Sequence, residues 1–292
     1  MRLAVLCTIL CSACRAPDGA RSTSEAPARP SSVISRADAG SAPASPEAAA
    51  RPVPAPLDWP RSPPALVSDW CGGGMRALDE ETCYVLPDKR SSALVVHLHG
   101  IVPPEKQSVL KSNLQQVVSN ASRRAGVALI LPRGVQGLAP RGQERWWGWP
   151  TGDAAYTRHV PALPRRFEEA RRKLEQGVGT TFSSVYLAGS SSGAYFVTRL
   201  ALRGDFVADG YAALSGGARV KIDDSLKVET RPFYIGYGKQ DSVGPAVRAL
   251  GDLLLSRGWP VHMAAHAVGH GAHEVYLDEA FAFWGTGRSA LP

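Results

Sequence analysis

The chain has no apolar run long enough to cross a bilayer as a stable helix. It also carries only five cysteines among 292 residues, and three of these, Cys7, Cys11 and Cys14, sit at the N-terminus. Cys71 and Cys83 are all that remain for the folded part. Two cysteines with no histidine beside them do not make a metal site. The seven histidines show no H-E-x-x-H or comparable ligand spacing. No metal and no cofactor is therefore expected. Nor is there a basic motif interleaved with aromatics, so the net charge of +7 does not point to nucleic acid. Its arginine pairs, such as Arg123-Arg124 and Arg171-Arg172, fall in expected helices and read as a solvated face. No internal repeat is evident.

What is present is unevenly distributed. Residues 1–14 have one positive charge followed by a short apolar run, the pattern of a secretory signal. Cys14, after Leu10-Cys11-Ser12-Ala13, resembles a bacterial lipoprotein cleavage box, although Cys11 stands where such boxes usually have Leu. Lipidation at Cys14 would tether the protein to a membrane; ordinary cleavage would release it. Both place it outside the cytoplasm. Residues 15–65 are rich in Ala, Pro, Ser and Arg and have few large apolar side chains. Such a stretch cannot bury enough surface to offset its chain entropy, so it is expected to be a disordered spacer. Residues 66–292 are ample for one well-buried domain. In an exported domain an even pair of cysteines is most simply a disulfide, here Cys71–Cys83.

From residue 93 apolar runs alternate with amphipathic stretches. Strands are expected at 93–99, 127–131, 184–189, 210–214, 233–238 and 261–267. Helices are expected at 106–125, 158–176, 193–203, 244–257 and 274–284, the second interrupted early by Pro161 and Pro164. Short runs buried on both faces and separated by helices predict an α/β fold with a mostly parallel central sheet flanked by helices. Little sequence separates 210–214 from 233–238, so a large lid domain is not expected.

Ligands of such sheets bind at the carboxyl ends of the strands, and there the polar residues gather. Gly189-Ser190-Ser191-Ser192-Gly193 follows one strand and opens a helix, and only Ser191 has glycine at both −2 and +2. By itself this is either a nucleophile elbow or a Ser/Gly loop. A serine hydroxyl needs a base and a carboxylate that orients it. Asp241 follows the strand ending Gly236-Tyr237-Gly238; its alternative role is to cap the next helix. His270, between two glycines beyond the last strand, is the preferred base, and His273 is its competitor. His99-Gly100 ends the first long strand, where such a pair shapes an oxyanion loop. The N–H groups of Ile101 and Ser192 would then be the donors. Trp147, in Trp146-Trp147-Gly148-Trp149, is either a wall of the substrate pocket or packing for its own loop.

On His99-Gly100, Gly189-x-Ser191-x-Gly193, Asp241 and His270, residues 90–286 resemble a compact serine hydrolase of the α/β-hydrolase superfamily. The chain is similar to secreted esterases of the polyhydroxyalkanoate-depolymerase or feruloyl-esterase type and to carboxylesterase-like phospholipases. The resemblance implies an exported carboxylic ester hydrolase working through an acyl-enzyme, with a small-molecule or polymer ester as substrate. It does not cover the substrate-binding loops. A peptidase, or a non-catalytic binding protein on the same scaffold, are the competing readings. The lipoprotein reading has its own test. A palmitate analogue should label the wild type and not Cys14→Ala, and an unlabelled wild type would leave free secretion.

Overall fold

The computed structural model describes residues 57–218 and 227–286. The expected leader, Cys14 and most of the spacer lie outside the described residues, as do Asp223 and Asp224, the acids that the sequence offers as alternatives to Asp241.

Eight strands form one sheet. They are β1 (Arg76–Ala77), β2 (Thr82–Val85), β3 (Ala93–Leu98), β4 (Ala128–Pro132), β5 (Ser184–Ser190), β6 (Gly210–Leu214), β7 (Phe233–Gly238) and β8 (Val261–His266). Their order is β1-β2-β4-β3-β5-β6-β7-β8. The pairs from β4 through β8 are parallel; β1–β2 and β2–β4 are antiparallel. Between the strands lie α1 (Val109–Ala125), α2 (Asp153–His159), α3 (Leu163–Val178), α4 (Ser192–Arg203) and α5 (Gly244–Ser256), and α6 (Glu274–Phe283) follows β8.

Side-chain alternation along β3 explains the layering. Leu94, Val96 and Leu98 enter one core with Phe167 and Leu174 of α3, Phe196 and Leu200 of α4 and Leu250 of α5. Ala93 and Val95 enter the other, with Leu114 and Val118 of α1 and Leu277 and Phe281 of α6. Every residue of β3 is buried, because both faces of the sheet are covered. Ser108 caps α1 by accepting from the Lys111 N–H at 3.3 Å, and Arg123 and Arg124 occupy its last turn, where the helix dipole favours positive charge.

Several expectations need correction. The spacer does not extend to residue 65. Trp59 Nε1–H donates to the Pro87 carbonyl at 2.8 Å and the ring meets Phe182 edge-on at 6.1 Å. Arg61 N–H donates to the Val178 carbonyl at 3.2 Å, and Pro63 is buried. One tryptophan and one proline anchor a stretch whose average composition reads as unfolded. The strand expected at 127–131 is shifted by one residue, with Pro132 as the last residue of β4, opposite Thr82. The helix expected at 158–176 is two helices, α2 and α3, with Pro161 in the break and Pro164 in the first turn of α3. The short antiparallel strands β1 and β2 had no sequence-level signal.

Cys71 and Cys83 form a disulfide with Cα atoms 5.4 Å apart. It ties the loop after Trp70 to β2. Trp70 itself is held by its Nε1–H bond to the Leu131 carbonyl, 3.2 Å, and by Gln115 Nε2 on its own carbonyl, 2.6 Å. Among the described residues no helix is long and apolar enough to cross a membrane. Replacing both cysteines with alanine should lower unfolding free energy by about 3 kcal/mol. Urea titration of the two proteins measures it; equal midpoints would mean that the bridge constrains nothing.

Candidate active site

The site begins with a backbone constraint. Ser191 lies between β5 and α4 with φ 52° and ψ −117°, left-handed for a residue that carries a Cβ. Such a conformation costs on the order of 1–3 kcal/mol and persists only where the surroundings enforce it. Here Ser191 N–H donates to the Leu214 carbonyl at 2.9 Å, joining the turn to β6. The flanking glycines allow the crowding. A Cβ on Gly189 would meet the Gly193 carbonyl carbon at 2.5 Å, and one on Gly193 would collide with the carbonyl oxygens of Leu98 and His99. The helix therefore starts directly against the end of β3, and the Ser191 side chain is presented above the sheet.

β7 and β8 supply the partners. Asp241 Oδ1 accepts the Val243 N–H at 3.1 Å, and Oδ2 meets His270 Nδ1 at 2.9 Å. The carboxylate thus serves the turn into α5 and the imidazole together. His270 Nε2 lies 2.9 Å from Ser191 Oγ. A carboxylate only accepts, so Nδ1 carries the hydrogen and Nε2 is left to accept from the serine hydroxyl. The Asp241 side chain is 1% exposed and that of His270 is 49% exposed. One end of the chain of hydrogen bonds is dry and fixed; the other is open to an incoming molecule. His273 takes no part in this chain. Its Nε2–H donates to the Gly269 carbonyl at 3.2 Å, and its ring stands edge-on to Tyr276.

The loop after β3 closes over the serine. A Cβ on Gly100 would touch Ser191 Cβ at 3.3 Å. His99 holds this loop from below. Its Nε2 accepts the Gly134 N–H at 2.8 Å, which leaves Nδ1–H to donate to the Gly100 carbonyl. The ring sits between Trp70 and Trp149, centroids 5.0 and 5.2 Å away, and Trp149 Nε1–H donates to the His99 carbonyl at 2.8 Å. Burial pushes His99 down to about 4, against the opposing effect of its bond to Gly100. Burial likewise pushes His97 down to about 3, and its Nε2 lies 3.2 Å from Ser190 Oγ. Sequence reasoning placed His99 near the oxyanion loop but missed its bond to Gly134, which is 35 residues away. No local pattern marks such a contact.

A cavity of about 510 Å³ opens beside Ser191 and His270. Ile101 lines it, and Ser192 begins α4, so its N–H is one of those that an α-helix leaves without an intrahelical acceptor. The wall expected from Trp147 is supplied instead by Trp146. Trp147 pairs through its backbone with Val102, at 2.8 and 3.0 Å, and its ring packs on the core and under the Arg133 guanidinium, 4.3 Å from the ring centroid. Trp146 lies in the turn before this bridge, where its N–H donates to the Gln143 carbonyl at 2.8 Å, so its ring leaves the backbone in a different direction from that of Trp147. Among the described residues no cluster of three or more His, Cys, Asp or Glu could hold a metal.

No family model and no curated protein matches this chain. Solved structures do. YahD with malic acid aligns over 71% of this chain and 99% of its own, with a TM-score of 0.54 and 13% identity. A variant of SOBER1 from Arabidopsis thaliana aligns over 66% of this chain and 98% of its own, with a TM-score of 0.50 and 15% identity. With the strand order and the elbow after β5, these likenesses define the class: the chain has the α/β-hydrolase fold.

The buried histidines make stability depend on pH. From 6.5, the ordinary histidine value, down to about 4, the unfolded chain binds a proton at His99 that the native state refuses. Stability therefore rises with pH through this window and falls on acidification. His97 adds to this in the same direction and extends the window to about 3. At pH 5, unfolding of His99→Gln should take up about one proton fewer than wild type, read from the slope of unfolding free energy against pH. An unchanged slope would mean that His99 titrates normally in the native state.

Proposed function

We propose that this protein is a serine hydrolase acting on carboxylic esters through an acyl-enzyme. The observation that carries the reading is the unbroken chain from Asp241 to His270 to Ser191, with both links at 2.9 Å, ending on a strained elbow. A Ser/Gly loop has no need of a backbone conformation this costly.

Ser191 Oγ forms the bond to the ester carbonyl carbon while its proton passes to His270 Nε2. Asp241 keeps the ring oriented and stabilises the imidazolium that forms. The carbonyl electrons move onto oxygen, where the N–H groups of Ile101 and Ser192 stabilise the charge. Collapse of this intermediate breaks the bond to the alkoxide, which takes the proton from Nε2. Water then repeats the sequence on the acyl-enzyme, releasing the acid and restoring Ser191. His99, kept neutral between Gly100 and Gly134, holds the donor loop without adding a positive charge to it.

Location belongs to the same proposal. The Cys71–Cys83 bridge supports an oxidising compartment, and the N-terminal pattern supports export with a lipid tether at Cys14.

A fluorophosphonate probe should label the wild type at Ser191 and leave Ser191→Ala unlabelled. His270→Ala should lose about 10⁴-fold or more in kcat on a p-nitrophenyl ester, and Asp241→Asn about 10³–10⁴-fold. Folded wild type that takes no label would instead favour a binding protein on this scaffold.

A further inference from the structure

The cavity beside Ser191 has a composition that the hydrolytic chemistry does not require. Four of its lining residues, Leu110, Asn113, Leu114 and Val117, come from one face of α1 at helical spacing. This face runs about 10 Å along the helix axis. It passes from solvent into the core: Leu110 is 56% exposed and Leu114 is 8% exposed. Opposite stand Ile101, Val102 and Trp146. The polar side chains on this side, Asn113 and Gln143, can each make hydrogen bonds but carry no charge, and His273, on the rim beside His270, is engaged by the Gly269 carbonyl at 3.2 Å. The chain has 33 lysines and arginines and 26 acidic residues, yet none of them lines this cavity among the described residues. Arg133, which is close in sequence to the Trp146 loop, is occupied by Glu81 at 2.6 Å and by the face of Trp147.

The α1 face, with Ile101, Val102 and Trp146, gains free energy from hydrocarbon and has no charged group to pair with a carboxylate or an ammonium. On the hydrolase reading above, we infer that the substrate is an uncharged ester carrying a medium-length hydrocarbon group. That group lies along the Leu110–Leu114–Val117 face of α1, with the ester carbonyl at Ser191. Leu110, at the open end of the face, meets the far end of the chain. Esters with a charge at that end are disfavoured, because a charged group keeps its water and forfeits the apolar contact with Leu110.

The test uses two series with the whole protein: p-nitrophenyl esters from acetate to octanoate, and acetate esters from ethanol to octanol. In one of the two, kcat/KM should rise about fourfold for each added methylene over the first steps, reaching about thirtyfold or more. If the rise is in the acyl series, p-nitrophenyl hemisuberate, with a terminal carboxylate, should fall about fourfold or more below the octanoate. If it is in the alcohol series, the acetate of 8-hydroxyoctanoate should fall likewise below octyl acetate. Leu110→Arg, at a half-exposed position that tolerates the longer side chain, should narrow or invert that difference while fluorophosphonate labelling of Ser191 persists. Labelling and hydrolysis with both series flat, or with charged and neutral esters equal, would overturn the substrate assignment and leave the hydrolase intact. Loss of both labelling and hydrolysis in folded wild type would overturn the hydrolase reading, and the substrate assignment with it.

Discussion

The contact between the start of α4 and the end of β3 governs the rest of the structure. Gly193 presses its backbone against the carbonyls of Leu98 and His99, where no other residue would fit. This contact lets the chain leave β5 and enter a helix within one residue, and it puts Ser191 into a left-handed conformation that a free turn would avoid. The strain is borne by the sheet. Ser191 N–H is bonded to β6, and β5 pairs with β3 along its whole length, from Ala93–Ser184 to Leu98–Gly189. Relaxing the serine would require separating strands buried on both faces.

Parallel pairing does the remaining assembly. Because β3, β5, β6, β7 and β8 run in one direction, the loops that follow them emerge on one edge. Gly100, Ser191, Asp241 and His270 are far apart in sequence and adjacent in space for this reason. The site has an internal gradient. Asp241 is dry and doubly bonded, while His270 is half-exposed. His99 extends the same logic beneath the loop. It is buried between two tryptophans, neutral, and bonded at both nitrogens, so it can fix a loop without changing the local charge.

The disulfide and the tryptophans form the support on this side of the sheet. Cys71–Cys83 closes the segment that follows Trp70, and Trp70 packs on the ring of His99. The Trp146-Trp147-Gly148-Trp149 run, a single cluster in sequence, divides into three tasks. Trp146 faces the cavity, Trp147 stacks under Arg133, and Trp149 packs on Phe196 and bonds His99. Contacts with different segments separate them, Trp147 on one face of the sheet and Trp149 on the other, and composition alone carries no sign of which ring goes where.

Apart from α2, the elements from β3 to α6 were legible in the sequence, nearly to their boundaries, because a strand buried on both faces and a helix with one apolar face leave strong periodic signals. The tight turn at Gly189-x-Ser191-x-Gly193 and the order of Ser191, Asp241 and His270 were legible because their glycines and strand ends are local features. What escaped was set by contacts between distant segments. β1 and β2 are too short to show a period, and Trp59 folds back on Pro87 from within a stretch that reads as a spacer. His270 and His273 share a glycine-rich loop and differ by three positions; only the meeting of that loop with Asp241 and Ser191 separates them. The sequence by itself determined the type of fold and the set of reactive groups, since both rest on residue type and spacing along the chain. The tertiary structure alone decided which histidine meets the serine and which tryptophan lines the cavity, since those depend on direction in space, and spacing does not encode direction once the chain leaves regular structure.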